Sequence, residues 1–246
     1  MAMNARLCGG VVRGALPWLL FVLLLAAPVQ GQIAAGPSAA QIREAVYYSA
    51  TPRKTADEYT RERCVLDLYL PAKVTGFPTV VWFHEGDLES GERAIPKVFR
   101  NRGLAVAAPD YRLSPKATCE QAIADAAQAV AYVLWHIEAL GGDPTRVFVA
   151  GSGAGGYLAG LVVLDTSLLA QCGVKDAKLA GLVSINGTAS THPTVLKQRG
   201  GEFVGRIVAD TLSPMHHIRR DAPPILLVTA DRRLEKSELY ESNVYM

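Results

Sequence analysis

Cysteine is scarce in this chain. Only four stand among 246 residues, none is paired as CxxC, and no Cys/His zinc spacing exists. No metal site is therefore read, and no cofactor is expected. Charge of one sign is also lacking. The formal net charge is +2, no basic cluster stands out, and nucleic acid is not an expected partner. Long hydrophobic runs are missing too. Trp18 to Ala27 is the longest apolar stretch near the start, too short for a bilayer core of about 30 Å. Internal repeats and low-complexity tracts do not occur. Histidine is limited to five residues, none beyond His217.

The N-terminal run is informative in another way. Arg6 and Arg13 precede it without a nearby acid, and Val29-Gln30-Gly31 follows it with small residues. This is the layout of a secretory signal over residues 1–31, cleaved near Gly31, and it predicts a secreted or periplasmic protein with no stable membrane anchor after cleavage. Cleavage removes two positive charges and brings the mature chain to about neutral. It also leaves Cys64, Cys119 and Cys172. An odd count bars full intrachain pairing. At least two of the three read as small buried hydrophobes, with one disulfide left open.

Residues 32–62 read as a leader and first strand region. From residue 63 onward strands and helices alternate. Cys64 to Leu70 has period-2 alternation, expected of a half-exposed strand. Thr79 to His84 is a continuous β-prone run, expected of a central strand. Arg93 to Arg102 carries Ile95, Val98 and Phe99 at helical spacing, closed by Gly103. Leu104 to Ala108 is a further strand. Thr118 and Gln121 form a capping-box signal. The helix they open places Ala122, Ala126, Val130, Val133 and Ile137 on one face. Strands are predicted again at Val147–Ala150, Leu179–Ile185 and Pro224–Ala230, with helices up to about Leu164 and from Leu234 onward. The pattern predicts an α/β fold with a mostly parallel central sheet.

The densest signal is Arg146 to Ala159, a buried strand, a glycine-packed turn and a small-residue helix. With Val81-Trp82-Phe83-His84-Glu85-Gly86, Pro109-Asp110-Tyr111-Arg112-Leu113-Ser114-Pro115, Gly142 to Arg146 and Pro223 to Asp231, it resembles the α/β-hydrolases of the carboxylesterase type, near the hormone-sensitive-lipase and bacterial feruloyl-esterase-like branches. The resemblance covers most of Arg63 to Met246. It implies a three-layer α/β-hydrolase sandwich and a serine that attacks carboxylic esters from a Gly-x-Ser-x-Gly turn. It also implies a small ester or acyl ligand.

The site residues depart from that pattern. Gly151 and Gly155 frame the turn, so the nucleophile position is Gly153, without a side chain. Ser152 is the weak substitute, one residue early. The oxyanion loop His-Gly-Gly-Gly becomes His84-Glu85-Gly86-Asp87, with Ala154 as the other donor. Glu85 and Asp87 either face the pocket, repelling an oxyanion, or face solvent and leave the N–H groups to serve. His84 reads as a structural loop histidine. The acid position falls at Arg233 with Asp231 and Glu235 nearby, and Asp231 alternatively caps the helix from Leu234. The histidine expected one strand further on is absent, because the chain ends at Met246. His136, His192, His216 and His217 lie elsewhere, and His216-His217 is the pair to suspect of replacing it. The domain over 63–246 then lacks a last strand and helix, so it is C-terminally incomplete, and its last strand becomes an apolar edge prone to self-association. Three functions follow as expectations: an inactive or impaired esterase, an active esterase using Ser152, or a ligand-binding module using the old pocket.

Overall fold

A computed structural model describes residues 39–201, 206–234 and 237–246. The segment read as a secretory signal and the start of the leader lie outside the described residues. Seven strands form one sheet in the order β1-β2-β4-β3-β5-β6-β7. They are β1 (Gln41–Tyr47), β2 (Val65–Leu70), β3 (Phe77–Phe83), β4 (Ala105–Pro109), β5 (Gly142–Ser152), β6 (Gly181–Ile185) and β7 (Ile225–Val228). β1–β2 and β2–β4 pair antiparallel, and every pair from β4 through β3, β5 and β6 to β7 is parallel. The helices are α1 (Glu58–Arg63), α2 (Cys119–His136), α3 (Ala154–Leu164), α4 (Thr166–Gln171), α5 (Pro193–Gln198) and α6 (Ser237–Tyr245). Parallel neighbours need crossovers, and α2 and α3 supply two of them. No helix among the described residues is long and apolar enough to cross a membrane.

The main core lies where α2, α3 and α4 cover one face of the sheet. Ala122, Ala126, Val130, Val133 and Ile137 are all buried there, against Val81, Val149 and Leu182. α2 opens as the capping box requires. The Thr118 hydroxyl accepts from Gln121 N–H, and the Gln121 side chain accepts from Thr118 N–H. α3 is buried along its whole length, with no polar side, as a helix does when it is packed all round. A smaller cluster of Tyr69, Ile95, Val106 and Ala108 sits on the opposite face under Trp82 and Phe99.

Two expectations from the sequence are corrected. The Arg93–Arg102 segment is not a helix, and only one 3-10 turn, Lys97–Phe99, forms. Pro96 sits at its start, and a proline disfavours helical backbone in the residue before it. Ile95 is therefore buried while Val98 turns out to solvent. β2 is not half-exposed. Leu66, Leu68 and Leu70 enter the main core, Tyr69 enters the second cluster, and only Asp67 stays partly accessible. Strand neighbours on both sides and covers on both faces overrule its alternating pattern.

Among the described residues β7 pairs only with β6 and lies at the sheet edge. Ile225, Leu226 and Val228 are exposed there, Leu226 at 55%. Cys64, Cys119 and Cys172 are free, the first two buried. Burial pushes the Cys64 and Cys119 thiols up to about 12, so both behave as apolar side chains.

Candidate active site

The strand-to-helix turn stands at the C-terminal end of β5, between the parallel neighbours β3 and β6. Two glycines make it as tight as it is. A Cβ on Gly151 would lie 2.3 Å from the Gly155 backbone, and one on Gly155 would lie 2.2 Å from the Phe83 carbonyl oxygen. α3 can approach the strand ends only because both positions lack that atom. Gly153 sits at the tip with φ 54° and ψ −121°. That conformation is strained for any residue with a side chain. Space is also short, since a Cβ added at Gly153 would press on Glu85 Cβ at 3.2 Å. The Gly153 N–H donates to the Ile185 carbonyl at 2.9 Å, which pins the tip to the end of β6. Ala154 opens α3, so its N–H is among those a helix leaves without an internal partner.

Ser152 does not take over the tip. It is the last residue of β5, and its hydroxyl donates to the Glu85 carboxylate at 3.0 Å. Glu85 is exposed, yet it folds over the turn to make this bond, so it neither points freely to solvent nor leaves Ser152 open. As a class, carboxylates are about two pKa units less basic than imidazole. Asp87 is 84% exposed in its side chain, with φ 56°, and its carbonyl accepts from the Thr194 hydroxyl at 2.7 Å.

His84 holds the loop beneath. Its ring stacks on Tyr111 at 4.4 Å, Nδ1 lies 2.7 Å from the Glu85 carbonyl oxygen, and Nε2 lies 3.4 Å from Asp110 Oδ1. The Tyr111 hydroxyl donates to the His84 carbonyl at 3.0 Å. Gly91 closes the back of the ring, where a Cβ would meet His84 Nδ1 at 2.4 Å. Asp110 is the hub of this loop. Arg93 reaches it through Nη1 at 2.7 Å and through its backbone N–H at 2.6 Å, and Arg63 Nη2 lies 3.4 Å away. Burial pushes the Asp110 carboxyl up, but His84 and the guanidiniums of Arg63 and Arg93 outweigh it and hold the carboxyl below its usual range. A carboxyl lowered in the folded state stabilises the fold at pH above its unfolded value near 4. That contribution is lost as pH falls through the folded value. Asp110→Asn should therefore flatten the loss of stability below about pH 4, checked by urea unfolding from pH 6 to pH 2.

None of the remaining described candidates lines the cavity over the tip, with one exception. Asp231 and Arg233, the two acid-position residues, pair with each other. Arg233 Nε donates to Asp231 Oδ1 at 2.9 Å and Nη2 to Oδ2 at 3.0 Å. Hydrogen bonding from Arg233 holds the Asp231 carboxyl below its usual range. Asp231 does not cap a helix at Leu234, because residues 232–234 form a turn, which its carboxylate closes on the Arg233 N–H at 2.9 Å. Glu235 lies outside the described residues. His217 Nε2 lies 2.9 Å from the Thr211 carbonyl oxygen and 3.8 Å from Asp165. Asp165 follows the last residue of α3, about 16 Å along the helix from the turn. His216 shares with it the 3-10 turn Pro214–His217, so this pair does not serve the tip. His136 ends α2 and stacks on Tyr132 at 4.0 Å.

His192 is the exception, the residue that sequence reasoning placed too far away. The chain after β6 folds back over the strand ends. There His192 caps α5, and with Gly153 and Ala154 it lines a cavity of about 630 Å³. The available signal was Thr191-His192-Pro193, since proline at the first helical position marks a helix start. His192 Nδ1 accepts from the Thr194 N–H at 3.2 Å, and Nε2 lies 4.0 Å from Asp87 Oδ1. A neutral ring that accepts at Nδ1 carries its proton at Nε2. In that tautomer Nε2 donates rather than accepts. Among the described residues, no group of three or more His, Cys, Asp or Glu side chains could hold a metal ion.

Comparison with known proteins agrees with this frame. The BD-FAE family model matches residues 66–236. The chain is 32% identical over 130 residues to isoprenylcysteine alpha-carbonyl methylesterase ICME of Arabidopsis thaliana, covering 51% of this chain and 28% of that protein. It is 26% identical over 208 residues to esterase LipC of Mycobacterium tuberculosis, covering 77% of this chain and 51% of that protein. The chain thus spans about half or less of the length of these two relatives. Among solved structures, esterase B from Lactobacillus rhamnosis superposes with a TM-score of 0.60 at 23% identity, covering 78% of this chain and 67% of that one. A truncated form of a carbohydrate esterase from gut microbiota gives 0.62 at 17% identity, covering 85% and 86%. These two show the shared fold. A sheet with this strand order, a glycine-packed turn after β5 and a family match over 66–236 lead to one conclusion: the chain belongs to the BD-FAE family of α/β-hydrolases, in the carboxylesterase and feruloyl-esterase-like superfamily.

Proposed function

We propose that this chain descends from carboxylic-ester hydrolases and that its own hydrolytic step is silent or strongly impaired. One observation carries the reading. The tip of the turn is Gly153 with the φ of 54° that the fold reserves for it, while the neighbouring Ser152 hydroxyl is engaged by the Glu85 carboxylate. Acyl transfer by a serine needs a base that takes its proton, a group that orients the base and donors for the oxyanion. Ala154 N–H can still serve as a donor. The tip itself carries no side chain, and His192, which lines the cavity over it, accepts a backbone N–H at Nδ1.

The test is turnover of a short-chain aryl ester such as 4-nitrophenyl butyrate. The wild-type chain should hydrolyse it no faster than buffer, and Ser152→Ala should change nothing. Turnover abolished by Ser152→Ala would instead establish a displaced nucleophile.

A second reading is favoured by the cavity itself. About 630 Å³ remains open over the turn, lined by Thr188, Thr191 and His192, and that is ample for a small ester or acyl ligand bound without reaction. A ligand that raises the melting temperature without being cleaved would support it.

We also place the protein in a secreted or periplasmic setting, on the strength of Arg6, Arg13 and the apolar run up to Ala27. The mature exported chain should start near Gln32 by mass spectrometry, and an exported chain retaining Met1 would refute this.

A further inference from the structure

A second cleft, larger than the one over the turn, opens at the other end of α3. We propose that it binds an amphiphilic carboxylate, an apolar chain ended by one anionic head. Its volume is about 810 Å³ against about 630 Å³ for the first, within the range of small-molecule sites. It is built where α3 ends, α4 begins and the chain enters β6 and β7. The length of α3, about 16 Å, separates it from Gly153, so it is independent of the esterase question.

The lining divides into two kinds of surface. Val163, Leu169, Val174 and Leu179 supply apolar walls. Lys175, Lys178 and Arg219 supply cations, against the acids Asp176 and Asp221. Asp221 is already engaged, its Oδ2 lying 2.9 Å from Arg219 Nη1. Among the described residues neither lysine makes an ion pair with Asp176 or any other acid, so positive charge is in excess at the rim. Arg219 adds a more specific sign. Its Nη2 donates to the Val163 carbonyl at 3.4 Å, and its Nε is buried with no hydrogen-bond partner among the described residues. That Nε is closed to a ligand, so the anionic head would meet the accessible part of the Arg219 side chain, 26% exposed, together with the two lysines. The apolar walls explain why a bare inorganic anion is not the fit. A small ion would leave those walls wet, whereas an alkyl chain would cover them.

The probe is decanoate, titrated calorimetrically into the full chain below its micellar concentration, beside decanol and acetate. Decanoate should bind one to one and at least tenfold more tightly than either. Lys175→Glu with Lys178→Glu, both exposed and so harmless to folding, should weaken it at least tenfold. Lys197→Glu, which changes the charge of the first cavity, should leave it unchanged. The proposal is overturned if decanoate does not bind, if decanol binds as well, if the double lysine variant binds normally, or if Lys197→Glu is the change that abolishes binding.

Discussion

Gly153→Ser should lower the stability of the chain by about 1–3 kcal/mol and return no esterase turnover. The first half follows from the backbone. At φ 54° and ψ −121° a Cβ is strained, and the new one would press on Glu85 Cβ at 3.2 Å. The second half follows from the neighbours. His192 accepts a backbone N–H at Nδ1, and His217 lies at the far end of α3. A serine placed at the tip would find no imidazole ready to take its proton. Urea unfolding measures the first effect and aryl-ester hydrolysis the second. Serine at 153 that is both neutral in stability and active would show that a base reaches the tip after all.

Asp125→Ala should have the largest effect on folding, about 3–5 kcal/mol. Asp125 lies on α2 with its side chain fully buried. It accepts from Arg112 at three points, the backbone N–H at 3.0 Å, Nε at 2.8 Å and Nη2 at 2.7 Å. Hydrogen bonding to Asp125 pushes the Arg112 guanidinium up, outweighing its burial. Removing the carboxylate leaves that guanidinium charged, partly buried and unpaired. The damage should spread to the site, because Tyr111, one residue before Arg112, is the ring that carries His84. A loss below 1 kcal/mol in urea unfolding would mean that solvent reaches Arg112 freely.

Local signals were the most legible in the sequence. The Thr118–Gln121 capping box and the apolar stripe from Ala122 to Ile137 specify α2 without outside help. The glycines at 151 and 155 announce a close helix-to-strand approach, and the distances a Cβ would create bear out the reason. Long-range features were not legible. β2 alternates in sequence, but strands on both sides and layers on both faces bury it. The spacing of Ile95, Val98 and Phe99 suggested a helix running across Pro96, where the residue before the proline is disfavoured from helical backbone. The return of His192 over the turn depends on the path of the chain after β6, which no local pattern describes. Asp110 could have been suspected as an acid at the end of a buried run. Its partners Arg63 and Arg93 come from other elements, and only the fold brings them together.

The central claim is that no side chain stands ready to attack an ester at this turn. Its most direct test is covalent labelling of the intact chain with a fluorophosphonate, followed by mass spectrometry. The chain should remain unmodified at Ser152, with or without Glu85→Gln. A stoichiometric adduct on Ser152 in the wild-type chain, lost in Ser152→Ala, would contradict the account.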